Sequence, residues 1–214
     1  MTMRITMTAA LAGLVLLAGC GGGAGLTAAV QGAIAPLVGT QTAPAARGGG
    51  AATPVDPATA RSVRIAALGA SGTATRVVDN GASETFSGPG GFTYTLRDGM
   101  LVATRGLGHD LMAADARQSR AALRAGGGSA RRVHETLDGM DRIVRSTFDC
   151  TVSARGGETI DLGNRKVNAR RFDETCQGDG LIFENRYWLD ASGGILSSRQ
   201  FVTQTVAYLR SSGL

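Results

Sequence analysis

From residue 61 onward, short alternating segments separated by glycine-containing turns follow one another along the chain. Tyr94 and Leu96 alternate with threonines, which is the period of a half-buried strand. Asn80-Gly81 and Asp98-Gly99 are hairpin signals because these residue types tolerate positive φ. Turns that recur about every nine residues predict an antiparallel meander. The sequence therefore predicts a mainly β domain over residues 61–214.

One segment interrupts this rhythm. Asp110 to Ala125 is predicted as a short helix that Asp110 caps and the glycines after Ala125 end. Its three arginines, at the i, i+3 and i+7 positions, are interpreted as a solvated face. Ser71-Gly72 is predicted as a turn. The strands predicted after the helix cover residues 133–137, 143–152, 159–162, 166–175, 181–189 and 195–206.

The N-terminus carries an export signal. Arg4 is the only charge before an apolar run that ends in Leu17-Ala18-Gly19-Cys20. This run is shorter than the about 20 residues of a membrane span. The pattern resembles a bacterial lipobox, in which the cysteine is acylated and becomes the new N-terminus. We expect residues 1–19 to be removed and Cys20 to carry acyl chains such as palmitate, which anchor the protein to a membrane.

Residues 20–60 differ in composition from the rest. They consist mainly of Gly, Ala, Thr and Pro, and they hold four of the chain's five prolines. Such a segment cannot bury enough apolar surface to order itself, so it is predicted to be a flexible tether. Leu26, Val30, Ile34 and Leu37 recur at helical spacing, which leaves room for one short amphipathic helix inside it.

The charge is strongly biased toward arginine. All but one of the 22 basic residues are arginine, and the formal net charge is +5. We interpret this bias as genomic composition and expect no nucleic-acid partner. A basic surface could nevertheless attract anionic glycans or lipid headgroups.

Cysteine usage fits an exported protein. With Cys20 assigned to lipid, Cys150 and Cys176 remain, and an exported chain meets an oxidising compartment. A disulfide between these two is the simplest prediction. No CxxC motif occurs, so neither a redox motif nor a structural zinc site is supported.

The inventory of catalytic residues is thin. His109 stands beside Asp110, as a base and its orienting carboxylate would, but no Gly-x-Ser-x-Gly elbow supplies a nucleophile. His134 is predicted to lie on the surface of a strand. The sequence contains no cluster with metal-ligand spacing and no dinucleotide fingerprint. We therefore predict a protein that is not an enzyme and that has no metal or cofactor.

Two segments are rich in distinctive residues. The first runs from Thr104 to Met112, and the glycines in it predict positive φ or a close backbone approach. Its candidate structural or interaction residues are Arg105, Gly106, Gly108 and Asp110. Arg105 and Asp110 are placed to pair across the loop.

The second segment holds the chain's only tryptophan. Tyr187 and Trp188 are neighbours on a predicted strand, so one ring should be buried and the other should lie near the surface. Aromatic rings beside arginine and asparagine bind sugars, although core packing is the commoner role. The candidate glycan or partner surface comprises Asn185, Tyr187, Trp188 and Arg199.

These segments resemble the YjbF/GfcB lipoprotein family, which is associated with exopolysaccharide and group 4 capsule production in Gram-negative bacteria. The resemblance rests on the lipobox, on Thr104–Leu111, on Asn185–Asp190 and on Ser198-Arg199-Gln200. Phe86 and Phe201 stand where we expect tryptophan in relatives. The resemblance implies an outer-membrane lipoprotein whose antiparallel meander curves into a half-barrel with one or two short helices.

The predicted function follows from these points. We expect a periplasm-facing, lipid-anchored protein of the outer membrane that acts as a non-catalytic accessory factor in polysaccharide export. Gly21, after the lipid cysteine, fits outer-membrane sorting because it is not an aspartate. The expected partners are the membrane, a polysaccharide or an outer-membrane export protein. The alternatives are a glycan-modifying enzyme and a structural partner of an outer-membrane β-barrel.

Overall fold

The computed structural model describes residues 56–214. Cys20, the signal sequence, the predicted tether helix and nearly all of the tether lie outside the described residues. None of the helices within residues 56–214 is long and apolar enough to cross a membrane.

The described domain contains twelve strands and one α-helix. The strands are Ala60–Ile65 (β1), Ala70–Asp79 (β2), Glu84–Ser87 (β3), Thr93–Arg97 (β4), Met100–Arg105 (β5), Ala113–Asp115 (β6), Gly127–Leu137 (β7), Ile143–Asp161 (β8), Lys166–Gly178 (β9), Leu181–Leu189 (β10), Ile195–Phe201 (β11) and Tyr208–Gly213 (β12). The helix is Arg117–Ala125 (α1).

All twelve strands form one antiparallel sheet. Its order is β5-β4-β3-β2-β1-β12-β11-β10-β9-β8-β7-β6. The first and last strands pair at its centre, with Val63 opposite Ser211. The two edges, β5 and β6, are consecutive in the chain and approach each other along a seam, where the Thr104 amide donates to the Leu111 carbonyl at 2.8 Å. The mainly β, half-barrel prediction is therefore confirmed, and the sheet is nearly closed into a barrel.

Strand alternation sends every second side chain into the interior. On β10 the buried residues are Phe183, Asn185, Tyr187 and Leu189, while the residues between them are partly or fully exposed. Two hydrophobic clusters fill the interior. The first lies under β7 to β11 together with α1, and the second lies under β1 to β5.

Local turn chemistry sets the hairpins. Asp98 and Gly99 both have positive φ, 51° and 78°, in the tight turn between β4 and β5. Asn80-Gly81 lies between β2 and β3, where the Gly81 amide donates to Asp79 Oδ1 at 2.9 Å. Both predicted hairpins are therefore present.

Some local predictions were wrong. Ser71 and Gly72 lie inside β2, and the turn before that strand is formed by residues 66–69 instead. The last predicted strand, 195–206, stops at Phe201, and a separate strand, β12, follows it. We had not predicted β12, whose buried Leu209 and Ser211 alternate with partly or fully exposed residues.

The helix is shorter than predicted. It begins at Arg117 rather than beside Asp110, and residues 113–115 pair with β7 as a strand. The N-cap residue is Ala116, which makes no side-chain capping bond, so the predicted cap at Asp110 was wrong. Asp115, one residue earlier, accepts the Arg117 amide at 3.1 Å. The predicted end is correct, because Gly126 adopts φ 88° and donates to the carbonyls of Ala122 and Leu123.

Candidate functional site

Asp110 organises the loop that crosses the seam. Its Oδ1 accepts the Thr104 hydroxyl at 2.8 Å and the Leu107 amide at 3.2 Å. Its Oδ2 accepts the Gly106 amide at 2.9 Å. Thr104 Oγ1 in turn accepts the Leu111 amide at 3.0 Å. The carboxylate is thus engaged by its own loop.

Arg105 fastens the same loop from another direction. Its guanidinium donates to the Leu111 carbonyl at 3.2 Å and to the Met112 carbonyl at 3.1 Å. Within the described residues no ion pair joins Arg105 to Asp110, so the predicted pairing was wrong. The two side chains hold the backbone separately, Asp110 through loop amides and Arg105 through the Leu111 and Met112 carbonyls.

The loop glycines have the predicted conformation. Gly106 and Gly108 adopt φ 84° and 83°, the left-handed region that costs other residues energy. A Cβ on Gly106 would also lie 3.4 Å from the Phe92 Cα. The positive φ is therefore the reason for glycine at position 106, since 3.4 Å is an ordinary van der Waals contact.

A buried polar cluster occupies the interior of the sheet. Glu174 Oε2 accepts three hydrogen bonds, from Arg132 Nη1 at 2.9 Å, Asn185 Nδ2 at 2.8 Å and the Tyr187 hydroxyl at 2.9 Å. Arg132 Nη1 also donates to the Tyr187 oxygen at 3.0 Å. All four residues are 0 % exposed. Asn185 Oδ1 accepts the Phe201 amide at 2.7 Å, which ties the cluster to β11.

The charges of this cluster are fixed. Burial opposes ionisation of Glu174, but the charge of Arg132 and the hydrogen bonds from Asn185 and Tyr187 outweigh it, so the pKa of Glu174 lies below its usual value. Burial and the charge of Glu174 raise the pKa of Tyr187 well above its usual value. Glu174 is therefore a carboxylate and Tyr187 a neutral phenol. The cluster is a locked ion pair and does not resemble an acid–base pair open to substrate.

The predicted glycan or partner surface does not exist as one face. Asn185 and Tyr187 point into the interior, whereas Trp188 and Arg199 lie on the outside. Trp188 Nε1 donates to Glu158 Oε2 at 3.0 Å. Arg199 places its guanidinium 3.3 Å from the centre of the Tyr208 ring. Adjacent strand positions face opposite ways, which separates the four residues.

The two histidines are not placed as a catalytic base would be. His134 was predicted at the surface but is 3 % exposed. It stacks on Phe183 and Phe201, with ring centres 5.7 and 6.4 Å away. Burial, and then the charge of Arg132, lower the pKa of His134 to about 3, so it is neutral. His109 is exposed beside the engaged Asp110.

The remaining cysteines form a disulfide. Cys150 on β8 lies directly opposite Cys176 on β9, with their Cα atoms 4.0 Å apart. Both are buried. Their sulfurs lie close to a Glu174 oxygen, but in a disulfide they are not thiolate ligands. This arrangement gives no support for a metal site there.

An accessible concavity lies at the seam. It is a cavity of about 450 Å³ between β4–β5 and the segment formed by β6 and α1, and we call it the seam cleft. Met100, Val102 and Ala114 are among its apolar lining residues. Its charged lining residues are Arg97, Asp98, Asp115, Arg117, Arg120 and Arg124. Sequence analysis placed the last three on one helix face, but it could not show that a strand edge faces them.

A second cavity of about 430 Å³ lies at the opposite end of the sheet. Gly108, His109 and Asp110 line it together with Asp138 and Asp179. The motif loop therefore borders an acidic depression, while the seam cleft is rich in arginine.

Comparison with known proteins identifies the chain's relatives. The profile of a family described as group 4 capsule polysaccharide lipoprotein GfcB, YjbF matches residues 54–212. The chain belongs to this family. The match covers the whole sheet of the YjbF domain, from β1 to within one residue of the end of β12. The resemblance seen in the sequence is therefore confirmed.

Solved structures agree with the fold of this YjbF-family chain. The crystal structure of the hypothetical lipoprotein YmcC from Escherichia coli K12 matches with a TM-score of 0.62 and 18 % sequence identity. The match covers 72 % of this chain and 82 % of YmcC. At this identity the likeness shows the fold alone. Curated protein sequences contain no significant match.

Proposed function

We propose that this YjbF-family protein is an outer-membrane lipoprotein, facing the periplasm, that acts as a non-catalytic binding or assembly factor in capsule or exopolysaccharide export. The family match over residues 54–212 carries the proposal. The lipobox ending at Cys20 supports the membrane anchor, and Gly21 supports outer-membrane sorting.

The state of the ionisable groups supports a binding role over a catalytic one. Glu174 is held by Arg132 in the interior, and Asp110 is held by backbone amides. Catalytic acids and bases usually have a pKa near the working pH and an open path to substrate. The buried His134, with a pKa of about 3, meets neither condition.

A gene deletion tests the proposal. The deletion strain should secrete less polysaccharide and still synthesise it inside the cell, and wild-type protein should restore secretion. Cys20→Ser should restore it less well, because the protein loses its lipid anchor. Mass spectrometry of the mature N-terminus and separation of inner from outer membranes report the anchor and its location. Unchanged export after deletion, or a purified protein that cleaves or modifies the polymer, would contradict the proposal.

Assembly with another envelope protein is the second candidate function. The hairpin between β7 and β8 exposes Met140 by 68 % and Ile143 by 67 %, with Leu137 and Val144 beside them. Exposed apolar groups of this kind often mark protein contacts. Crosslinking in intact cells should then capture a defined envelope protein, and Met140→Ser with Ile143→Ser should abolish the capture.

A further inference from the structure

The seam cleft carries more positive charge than its own carboxylates balance. Four arginines and two aspartates line it, which leaves two positive charges in excess. Asp115 pairs with Arg117 at 2.7 Å, and Asp98 pairs with Arg120 and Arg124. Arg97 pairs with no carboxylate of the described residues; its Nε donates to the Ser83 hydroxyl at 3.0 Å.

The arginines keep donors free despite these pairs. Arg117 uses Nε and Nη2 on Asp115, and Arg120 uses Nη2 on Asp98 and on the Gly193 carbonyl. Arg124 uses Nη2 on Asp98. No acceptor among residues 56–214 takes a hydrogen from Nη1 of these three arginines. The Nη1 atom of Arg120 is buried, and its side chain is only 9 % exposed.

An unpartnered buried guanidinium nitrogen is costly unless something pairs with it. Arg120 is fixed in place by Asp98 and Gly193, so it cannot easily swing into solvent. Arg117 and Arg124 flank it on the exposed side of α1, with side chains 80 % and 61 % exposed. A planar oxyanion is the ligand that such donors fit best.

We propose that the seam cleft binds the carboxylate groups of acidic sugar units in a polysaccharide. The inference deepens the proposed function and rests on it. The apolar side chains of Val102, Ala114 and Ala121 offer a surface for the C–H faces of a sugar ring. Within the part of the chain that the structure describes, no aromatic side chain lines the cleft, so recognition depends on charge rather than on ring stacking.

The size of the cleft suits one part of a polymer rather than a whole domain. Its volume of about 450 Å³ lies within the range of small-molecule sites, about 300–1,000 Å³. The cleft is also open along the edge of β5, since that strand has no continuous partner on this side. An extended chain could therefore enter the cleft with one acidic unit and continue outside it.

Binding of defined oligosaccharides tests the proposal. The full-length lipoprotein in non-ionic detergent is titrated with an oligogalacturonate and with a hyaluronan hexasaccharide, and each is compared with its carboxyl-reduced, neutral form. We expect the acidic forms to bind, the neutral forms to bind much more weakly, and raised salt to weaken the binding.

Variants localise the binding. Arg117→Gln with Arg124→Gln removes two exposed charges and should weaken acidic-oligosaccharide binding by about tenfold or more. The matched control is Arg131→Gln with Arg142→Gln, since these arginines are also exposed and paired with aspartates, but lie outside the cleft. Thermal unfolding of both double variants should match wild type.

These experiments distinguish failure of the binding inference from failure of the proposed function. The inference is overturned if neither acidic oligosaccharide binds, if the neutral forms bind equally well, or if both double variants lose affinity alike. Charge-dependent binding to phosphatidylglycerol vesicles in place of the oligosaccharides would also overturn it, in favour of a membrane-headgroup site. A deletion strain that exports less polymer while the purified protein binds no oligouronate would leave the proposed function standing without the inference.

Discussion

Arg132→Met removes the cation of the interior cluster and keeps a side chain of similar length. In the wild-type protein Glu174 Oε2 receives one charged and two neutral hydrogen bonds. The variant leaves a carboxylate that is 0 % exposed with the two neutral donors only. Removing one partner of a buried ion pair lowers the free energy of unfolding by about 3–5 kcal/mol. This is a large share of the about 5–15 kcal/mol by which a typical domain is stable.

The expected loss has a pH dependence of known sign. In the wild type the pKa of Glu174 is lowered, so its stabilising effect is present above the unfolded pKa and is lost on acidification. Without Arg132, burial raises the pKa of Glu174, so the variant loses stability as pH rises. The gap between wild type and variant should therefore be wider at about pH 7.5 than at about pH 5.

Urea unfolding followed by circular dichroism measures the effect. With a slope of about 2 kcal/mol/M, the midpoint should fall by about 2 M at neutral pH. Adding Glu174→Gln to the variant should recover at least half of the loss, because no charge is left unpaired. The control Arg131→Met removes an exposed pair with Asp149 and should change stability by less than about 0.5 kcal/mol. A loss below about 1 kcal/mol for Arg132→Met, or a double variant as unstable as the single, would refute this reasoning.

Three further predictions follow from the same structure. Replacing both Cys150 and Cys176 by Ala should cost about 3.5 kcal/mol by loop entropy, measured by non-reducing denaturation; an unchanged midpoint would contradict it. Gly106→Val should cost about 1–3 kcal/mol because of its positive φ, whereas Gly157→Ala, which has free space for a Cβ, should not; a variant that melts like wild type but stops export would make the loop an interaction site. The pKa of about 3 for buried His134 makes wild type lose stability as pH falls below about 6.5, and thermal melts of His134→Phe should show less of this loss; equal acid sensitivity would count against the assignment.

Much of the fold could be predicted because its information is local. The Asp98-Gly99 and Asn80-Gly81 turns join strands that adjoin one another in the chain. Such hairpins depend on backbone preferences that a few residues determine. The disulfide could be predicted for a different reason, since elimination left only Cys150 and Cys176.

The candidate sites were harder to predict. We predicted that Asn185 and Tyr187 share one accessible binding surface on the concave face with Trp188 and Arg199. The alternation along β10 places only Asn185 and Tyr187 on the same face. The structure buries them because Arg132 and Glu174, distant in sequence, satisfy their polar groups. In the sequence, a buried polar residue looks like a surface residue, because its hydrogen-bond partners are distant in the chain.

The sequence by itself determined the hairpin turns, the strand period and the family, since each depends on neighbouring residues or on recognisable motifs. Only the tertiary structure decided the pairing of β1 with β12, the inward direction of Glu174 and the position of the seam. The arginine-lined cleft exists because the chain's two edge strands meet where α1 packs. These features depend on contacts between residues far apart in the chain. Local backbone preferences do not determine which distant residues come together.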